Sequence, residues 1–311
     1  MQKRRLGNSG LKVSAVGLGC NNFGMRIDQA QTQAVVDAAL EAGVTLFDTA
    51  DIYGGAQSEV FLGKALGKRR GDIVLATKFG MRIGEDERRR GGSRRWIMRA
   101  VEDSLQRLGT DYIDLYQFHA PDADTPIEET LRALDDLISQ GKVRYLGNSN
   151  FAGWQIADAD WTSRREHLNR FVSAQNLYSL LERKTAFEVL PACEHFGLGF
   201  LPFFPLASGL LSGKYRRGAP PPNDSRLAAW GSRGAQALND RNFDKVEALT
   251  AWAEARDHTV LELAFAWLLG QPVVSSVIAG ATTPEQIRAN AATAAWTLTP
   301  DEVAEVTKLV A

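Results

Sequence analysis

Short apolar runs and helix-patterned segments alternate along almost the whole chain, and that alternation leaves few folds open. The runs VSAVGLG (13–19), VTLFD (44–48), IVLAT (73–77), YIDLYQF (112–118), VRYLGNSN (143–150), FVSAQ (171–175), LGFLPFFP (198–205) and SSVIAG (275–280) have the length and near-continuous apolarity of strands buried on both faces. Between them the pattern predicts helices at 28–42, 57–66, 94–108, 126–140, 152–161, 184–195 and 284–294, with a terminal helix at 300–310. Their ends carry the expected signals: Asp28 before the first, Gly43 after it, Pro126 opening the fourth and Gly141 closing it. Parallel strands joined by right-handed crossovers have two main solutions, a closed barrel and an open doubly wound sheet. Eight strands favour the barrel. The glycine-rich run GLGCNNFG (17–24) lacks the G-x-G-x-x-G spacing of a dinucleotide turn, which counts against the open sheet. The expected fold is therefore α/β, a (β/α)8 TIM barrel. A β-hairpin over 2–14, turning at Gly7-Asn8-Ser9-Gly10, precedes it, and a long loop follows strand seven.

That loop, 212–243, holds three consecutive prolines and no clean periodicity, as active-site lids and disordered segments do. The apolar segment 260–270 behind it carries Glu262 and is too short to span a bilayer, so it reads as a core helix. The 311 residues suit one large barrel domain, and a net charge of -1 gives no reason to expect nucleic acid or an acidic membrane as a partner. The basic start MQKRRLGNSG is not followed by the apolar stretch of a secretory signal. Cys20 and Cys193 have no metal-like spacing and form no disulfide framework, which fits a reducing cytoplasm. No metal is expected, and monomer and homo-oligomer both stay open.

Four polar residues interrupt this apolar scaffold at strand ends: Asp48, Tyr53 five residues later, Lys78 and His119. Charged groups at buried strand ends are costly unless paired or employed. In a barrel these ends converge on one face, where catalysis is usually found. An acid, a phenol, an amine and an imidazole in one pocket form an apparatus for moving a proton. Taken singly, each has a structural explanation: a turn cap, a packed turn aromatic, a rim lysine, a structural histidine.

Longer motifs decide between these readings. TLFDTADIYGGAQSEVFLGKAL (45–66), VLATKFG (74–80), DSLQRLGTDYIDLYQFH (103–119) and FPLASGLLSGKY (204–215) resemble the aldo-keto reductase superfamily. The long loop and SSVIAGATTPEQIRAN (275–290) are similar to its branch of bacterial reductases and voltage-gated potassium-channel beta subunits. The resemblance runs from about Arg5 to the C-terminus. It implies a barrel binding NADP(H), with NAD(H) possible, that reduces a small carbonyl compound. The family's tetrad falls on Asp48, Tyr53, Lys78 and His119. Tyr53 would protonate the carbonyl oxygen, Lys78 would lower the tyrosine pKa, Asp48 would hold Lys78, and His119 would orient the substrate.

The same resemblance implies that Ser149, Asn150 and Gln175 hold the nicotinamide carboxamide. Phe203 stands where the family usually has a stacking tyrosine, and Phe204 where it has a serine. Leu206, Ser208, Gly209, Leu211 and Lys214 match the pyrophosphate loop, and Gly19, Cys20 and Asn21 fall among the cofactor contacts. At the adenosine end, Gly280 replaces a common lysine, Thr282, Gln286 and Asn290 follow the channel-beta pattern, and Ala289 lacks that branch's glutamate. Arg226 is the counterpart of an arginine for the 2′-phosphate, with Arg288 a second candidate. Asn22, Phe23, Trp230 and parts of loops 81–95 and 216–232 are expected to line the substrate pocket. Two competing readings remain: a nucleotide-sensing partner protein of the channel-beta kind, and a barrel aldolase using Lys78 as a Schiff base.

Overall fold

The computed structural model describes residues 1–223 and 225–310. A two-stranded antiparallel hairpin, β1 (Lys3–Arg5) and β2 (Lys12–Ser14), comes first. Eight parallel strands follow: β3 (Val16–Gly19), β4 (Leu46–Asp48), β5 (Val74–Phe79), β6 (Ile113–Phe118), β7 (Val143–Ser149), β8 (Phe171–Gln175), β9 (Gly199–Phe200) and β10 (Val277–Gly280). They pair in the order β10-β3-β4-β5-β6-β7-β8-β9. Isolated bridges Phe200↔Val274 and Phe203↔Ile278 join the two edges, so the sheet closes on itself. Helices wrap the outside, and the chain folds as a (β/α)8 barrel.

The strand boundaries follow backbone chemistry. The segment 198–205 forms a ladder only at Gly199–Phe200, because Pro202 and Pro205 have no N–H to donate. The first barrel strand starts at Val16 rather than Val13, since Lys12–Ser14 is paired in the hairpin. The stretch between strands seven and eight is more ordered than its composition suggests. It holds short helices at Arg226–Ala229 and Ser232–Ala237, then a full helix at Asp240–Glu254. That helix is capped by the Asn239 side chain and buries Phe243, Val246, Leu249, Trp252 and Ala253. Among the described residues, no helix is long and apolar enough to cross a membrane.

The hairpin decides which end of the barrel is open. Leu6 and Val13 join Leu46, Val74, Ala76, Leu115, Leu201 and Ile278 in one apolar cluster inside the barrel. The hairpin is tied to the N-terminal ends of the strands: Asn8 N–H donates to Gly197 O at 2.9 Å, and Ser275 Oγ donates to Arg5 O at 2.8 Å. With that end plugged, the C-terminal ends of the strands form the accessible face.

Candidate active site

Strand alternation carries the apolar interior into a polar layer. Leu46, Ala76 and Leu115 face the barrel axis, and residues two further along a strand share that face. Those are Asp48, Lys78 and Gln117, and the registers Asp48↔Ala76 and Lys78↔Gln117 set them side by side. His119 lies one step beyond Gln117 on the same face, held by its N–H to Phe79 O at 2.8 Å. Ser149 and Gln175 are direct register partners on β7 and β8. A polar tier therefore caps an apolar one.

Lys78 is the centre of this tier. Its Nζ, fully buried, donates to Asp48 Oδ2 at 2.6 Å, to Thr49 O at 3.0 Å and to Tyr53 Oη at 3.2 Å. The other Asp48 oxygen accepts from Gln117 Nε2 and Gln175 Nε2, each at 2.9 Å. A buried ion pair is tolerable when its remaining lone pairs and protons are satisfied, and here they are. Burial alone would lower the Lys78 pKa, but the charges of Asp48 and Tyr53 and their hydrogen bonds outweigh it and raise it. Lys78 stays an ammonium at neutral pH.

Tyr53 reaches Lys78 from a tight turn. Gly54, Gly55 and Ala56 all have positive φ, and a Cβ at Gly54 would lie 2.7 Å from Phe23 O. Behind the turn, Ser58 Oγ donates to Cys20 O at 2.8 Å and lies 2.8 Å from Thr49 Oγ1. Helix Gln57–Leu66 is fixed in turn by buried Glu59, which accepts from Thr77 Oγ1 at 2.5 Å and Arg107 Nε at 2.6 Å.

Sequence reasoning expects Lys78 to lower the Tyr53 pKa, and the net shift is instead upward. Burial raises it more than the ammonium lowers it. Tyr53 is thus a phenol at neutral pH, ready to donate. His119 lies edge-on to it, with ring centroids 5.8 Å apart, and its Nδ1 is buried without a partner. Burial first, then the Lys78 charge, depress its pKa to about 3, so the imidazole is neutral.

A cavity of about 480 Å³ opens from Tyr53 and His119 and runs around the rim toward β10. Of the residues singled out from sequence, Gly19, Asn21, Asn22, Asp48, Tyr53, His119, Ser149, Asn150, Gln175, Phe203, Leu206, Ser208, Gly209, Lys214, Arg226, Gly280, Thr282, Gln286 and Asn290 line it. Ser149 Oγ donates to Gln175 O at 2.8 Å, and Asn150 Nδ2 to His119 O at 2.9 Å. Ala207, Ser208 and Gly209 all have positive φ, which bends this stretch of chain into a concave wall. At Gly280 a Cβ would come within 3.0 Å of Asn21 Oδ1, so a glycine keeps the groove open there. Gln286 Oε1 accepts from Thr282 N–H at 2.8 Å. An elongated groove with a curled backbone wall, an aromatic face at Phe203 and basic side chains at Lys214 and Arg226 fits an extended dinucleotide.

Several expected residues lie elsewhere. Cys20 is fully buried, with its thiol on Leu18 O at 3.6 Å. Leu211 is a core side chain, because the turn at 207–212 faces it inward. Phe23 is also buried in the core, beneath the Tyr53 turn. Trp230 packs edge-on against Phe204, with ring centroids 6.2 Å apart, and does not itself line the groove. Asn22 is only 2% exposed, and its amide is engaged with Ala281 O at 3.2 Å and Arg226 Nη2 at 3.4 Å. That ties it to the β10 side of the groove rather than to Tyr53. Arg288 pairs with Glu41 at 3.2 Å and does not line the groove.

Other residues on the site were not legible. Gln117, which steadies Asp48, has a signal only in hindsight: a polar residue two positions before His119 on an apolar strand. Arg26, Ser212 and Leu261 also line the groove, and nothing local in the sequence marks them.

Comparisons with known proteins agree with this geometry. Residues 15–311 match the model of the Aldo/keto reductase family. A probable voltage-gated potassium channel subunit beta from Arabidopsis thaliana is 38% identical over 297 residues, covering 93% of this chain and 90% of that protein. A rice protein of the same description shows the same identity and coverage. An uncharacterized oxidoreductase, YrpG, of Bacillus subtilis is 36% identical over 299 residues, covering 93% of this chain and 89% of its own. The chain belongs to the aldo/keto reductase family, and with it to the oxidoreductases that work with a nicotinamide cofactor.

Proposed function

We propose that this protein reduces an aldehyde or ketone to an alcohol with NADPH, using Tyr53 as the general acid. The observation that carries the reading is Lys78 Nζ, buried beneath a long groove that Asp48 and Tyr53 line, bridging Asp48 at 2.6 Å and Tyr53 Oη at 3.2 Å. When bound, the nicotinamide supplies the hydride. Ser149, Asn150 and Gln175 would hold its carboxamide and Phe203 its ring. Ser208, Gly209 and Lys214 would hold the pyrophosphate. Thr282, Gln286 and Asn290 would hold the adenosine, with Arg226 on the 2′-phosphate.

The protein's own part is proton transfer. Tyr53 donates its hydroxyl proton to the carbonyl oxygen as charge develops there, a contribution worth about 10²–10⁴ in rate. The tyrosinate that results faces the Lys78 ammonium, which Asp48 keeps charged and aimed. Neutral His119 orients the substrate oxygen without competing as an acid. The two buried free thiols, Cys20 and Cys193, are in keeping with a cytoplasmic site of action.

A panel of aldehydes and ketones, followed by NADPH and NADH oxidation, tests this. Turnover of several aldehydes with NADPH preferred is the expected outcome. NADH bound more tightly than NADPH would overturn the cofactor assignment. The similarity to plant proteins named as channel beta subunits supports a second reading, a nucleotide-sensing partner protein. One stoichiometric partner in a pull-down, with negligible turnover across the panel, would favour it over the first.

A further inference from the structure

We propose that Glu59 is a positioning residue for the reaction: it ties the backbone beside Tyr53 to the backbone beside Lys78, and Arg107 holds it in that role. This rests on the proton transfer proposed above and deepens it. Tyr53 and Lys78 meet at 3.2 Å through the tips of two long side chains, so their contact is only as constant as the backbones that carry them. Behind the contact, those backbones are joined again. At the entry to the turn, Asp51 N–H donates to Lys78 O at 3.2 Å. At its exit, Tyr53 O accepts from Ser58 N–H at 3.2 Å. The next residue, Glu59, accepts at Oε1 from Thr77 Oγ1 at 2.5 Å, and Thr77 is the chain neighbour of Lys78. A ring of contacts results, with the Tyr53–Lys78 hydrogen bond on one side and the Glu59–Thr77 bond on the other.

Glu59 is fully buried, and a carboxylate there is costly unless it is paired. Arg107, on helix Arg94–Leu108, supplies the pairing charge: its Nε donates to Glu59 Oε2 at 2.6 Å, and its Nη2 to Ser104 Oγ at 3.2 Å. The same helix packs closely on helix 57–66, where a Cβ at Gly63 would lie 2.4 Å from Leu108 O. Glu59 is therefore fixed both at its backbone and at its head group. A second buried acid, Asp51, feels the same charges, and neither of its oxygens has a hydrogen-bond donor among the described residues. Burial first, then the Glu59 charge, push its pKa well up, so it is a neutral acid and leaves Arg107 to Glu59. The link matters because the Lys78 ammonium must stay close to the phenol as the tyrosinate forms. A misplacement of about 1 Å in such a site can cost about 10²-fold in rate.

Thr77→Val removes the hydroxyl while keeping the side-chain shape, the Glu59–Arg107 pair and every residue of the groove; Thr77→Ser restores the hydroxyl. Both are compared with wild type in single-turnover oxidation of bound NADPH by an aldehyde and in NADPH titration. Without cofactor, the ¹³Cζ resonance of Tyr53, assigned with Tyr53→Phe, is followed at neutral pH. Thr77→Val is expected to reduce about tenfold more slowly, with the NADPH dissociation constant within about twofold and the Tyr53 resonance displaced. Thr77→Ser should return both rate and resonance to wild type. Arg107→Lys, at a partly exposed position, should shift both in the same direction as Thr77→Val, and reads the link should that variant fold poorly. A wild-type rate and an unmoved resonance in Thr77→Val would refute the link. Equal losses in Thr77→Val and Thr77→Ser, or NADPH binding that weakens in step with the rate, would mark general loosening and refute it as well. A displaced resonance that Thr77→Ser restores, in a protein whose wild type reduces no aldehyde, would uphold the positioning and overturn the reduction reading.

Discussion

Replacing His119 with asparagine isolates a titration that the fold suppresses. The imidazole is 6% exposed, and burial, then the Lys78 charge, hold its pKa at about 3 against an ordinary 6.5. Between those values the unfolded chain binds a proton that the folded chain refuses, so stability rises with pH across the window. The contribution is complete above pH 6.5 and is lost as pH falls from 6.5 toward 3. Each unit inside the window is worth about 1.4 kcal/mol, so going from neutrality to about pH 5 removes about 2 kcal/mol. The remaining histidines, His167, His195 and His258, are common to both proteins and cancel. Urea denaturation of wild type and His119→Asn at neutral pH and at about pH 5 measures the difference. Wild type should lose about 2 kcal/mol more than the variant. Equal losses would refute the neutral, desolvated imidazole and with it the orienting role.

Other expectations follow from the same contacts. Asp48→Asn leaves a buried ammonium without its counter-ion, and should cost about 3–5 kcal/mol in urea denaturation together with most of the activity. Gln117→Leu removes one donor from Asp48 without touching the groove, so the reduction rate should fall about 3- to 10-fold with NADPH binding unchanged. The raised Tyr53 pKa keeps the acid protonated, so a pH–rate profile for reduction should stay level through neutrality and fall only above about pH 10. Gly63→Ala drives a Cβ to 2.4 Å from Leu108 O, where helix 57–66 meets its neighbour, and should cost about 1–3 kcal/mol in thermal or urea unfolding.

The barrel was legible because buried parallel strands are read from apolar run length, and β4 to β8 lie within a few residues of the runs that predict them. Where the reading failed, a local signal was masked. The helix at Asp240–Glu254 begins inside a stretch that looks aperiodic, and its Asn239 cap is one polar residue among several. The proline pair at 202 and 205 shortens a strand whose composition is otherwise apolar.

At the site, motif positions on strand ends were legible because strand register leaves them little freedom. Residues on turns were not. Leu211 sits in a matching motif and Phe23 on the loop after the first barrel strand, yet the chain's local curl turns both inward. Gln117 acts through a partner distant in sequence, Asp48, and only the closed barrel brings the two together. The Tyr53 pKa shows the same limit: the sequence names the ammonium, but the depth of burial decides the sign.

The proposed function stands or falls on Tyr53 donating the proton in carbonyl reduction. Single-turnover oxidation of bound NADPH by an aldehyde substrate, in wild type and Tyr53→Phe, tests it most directly. The rate should be lower by about 10²–10⁴ in the variant, with the NADPH dissociation constant unchanged. A variant that oxidises NADPH at the wild-type rate would contradict it.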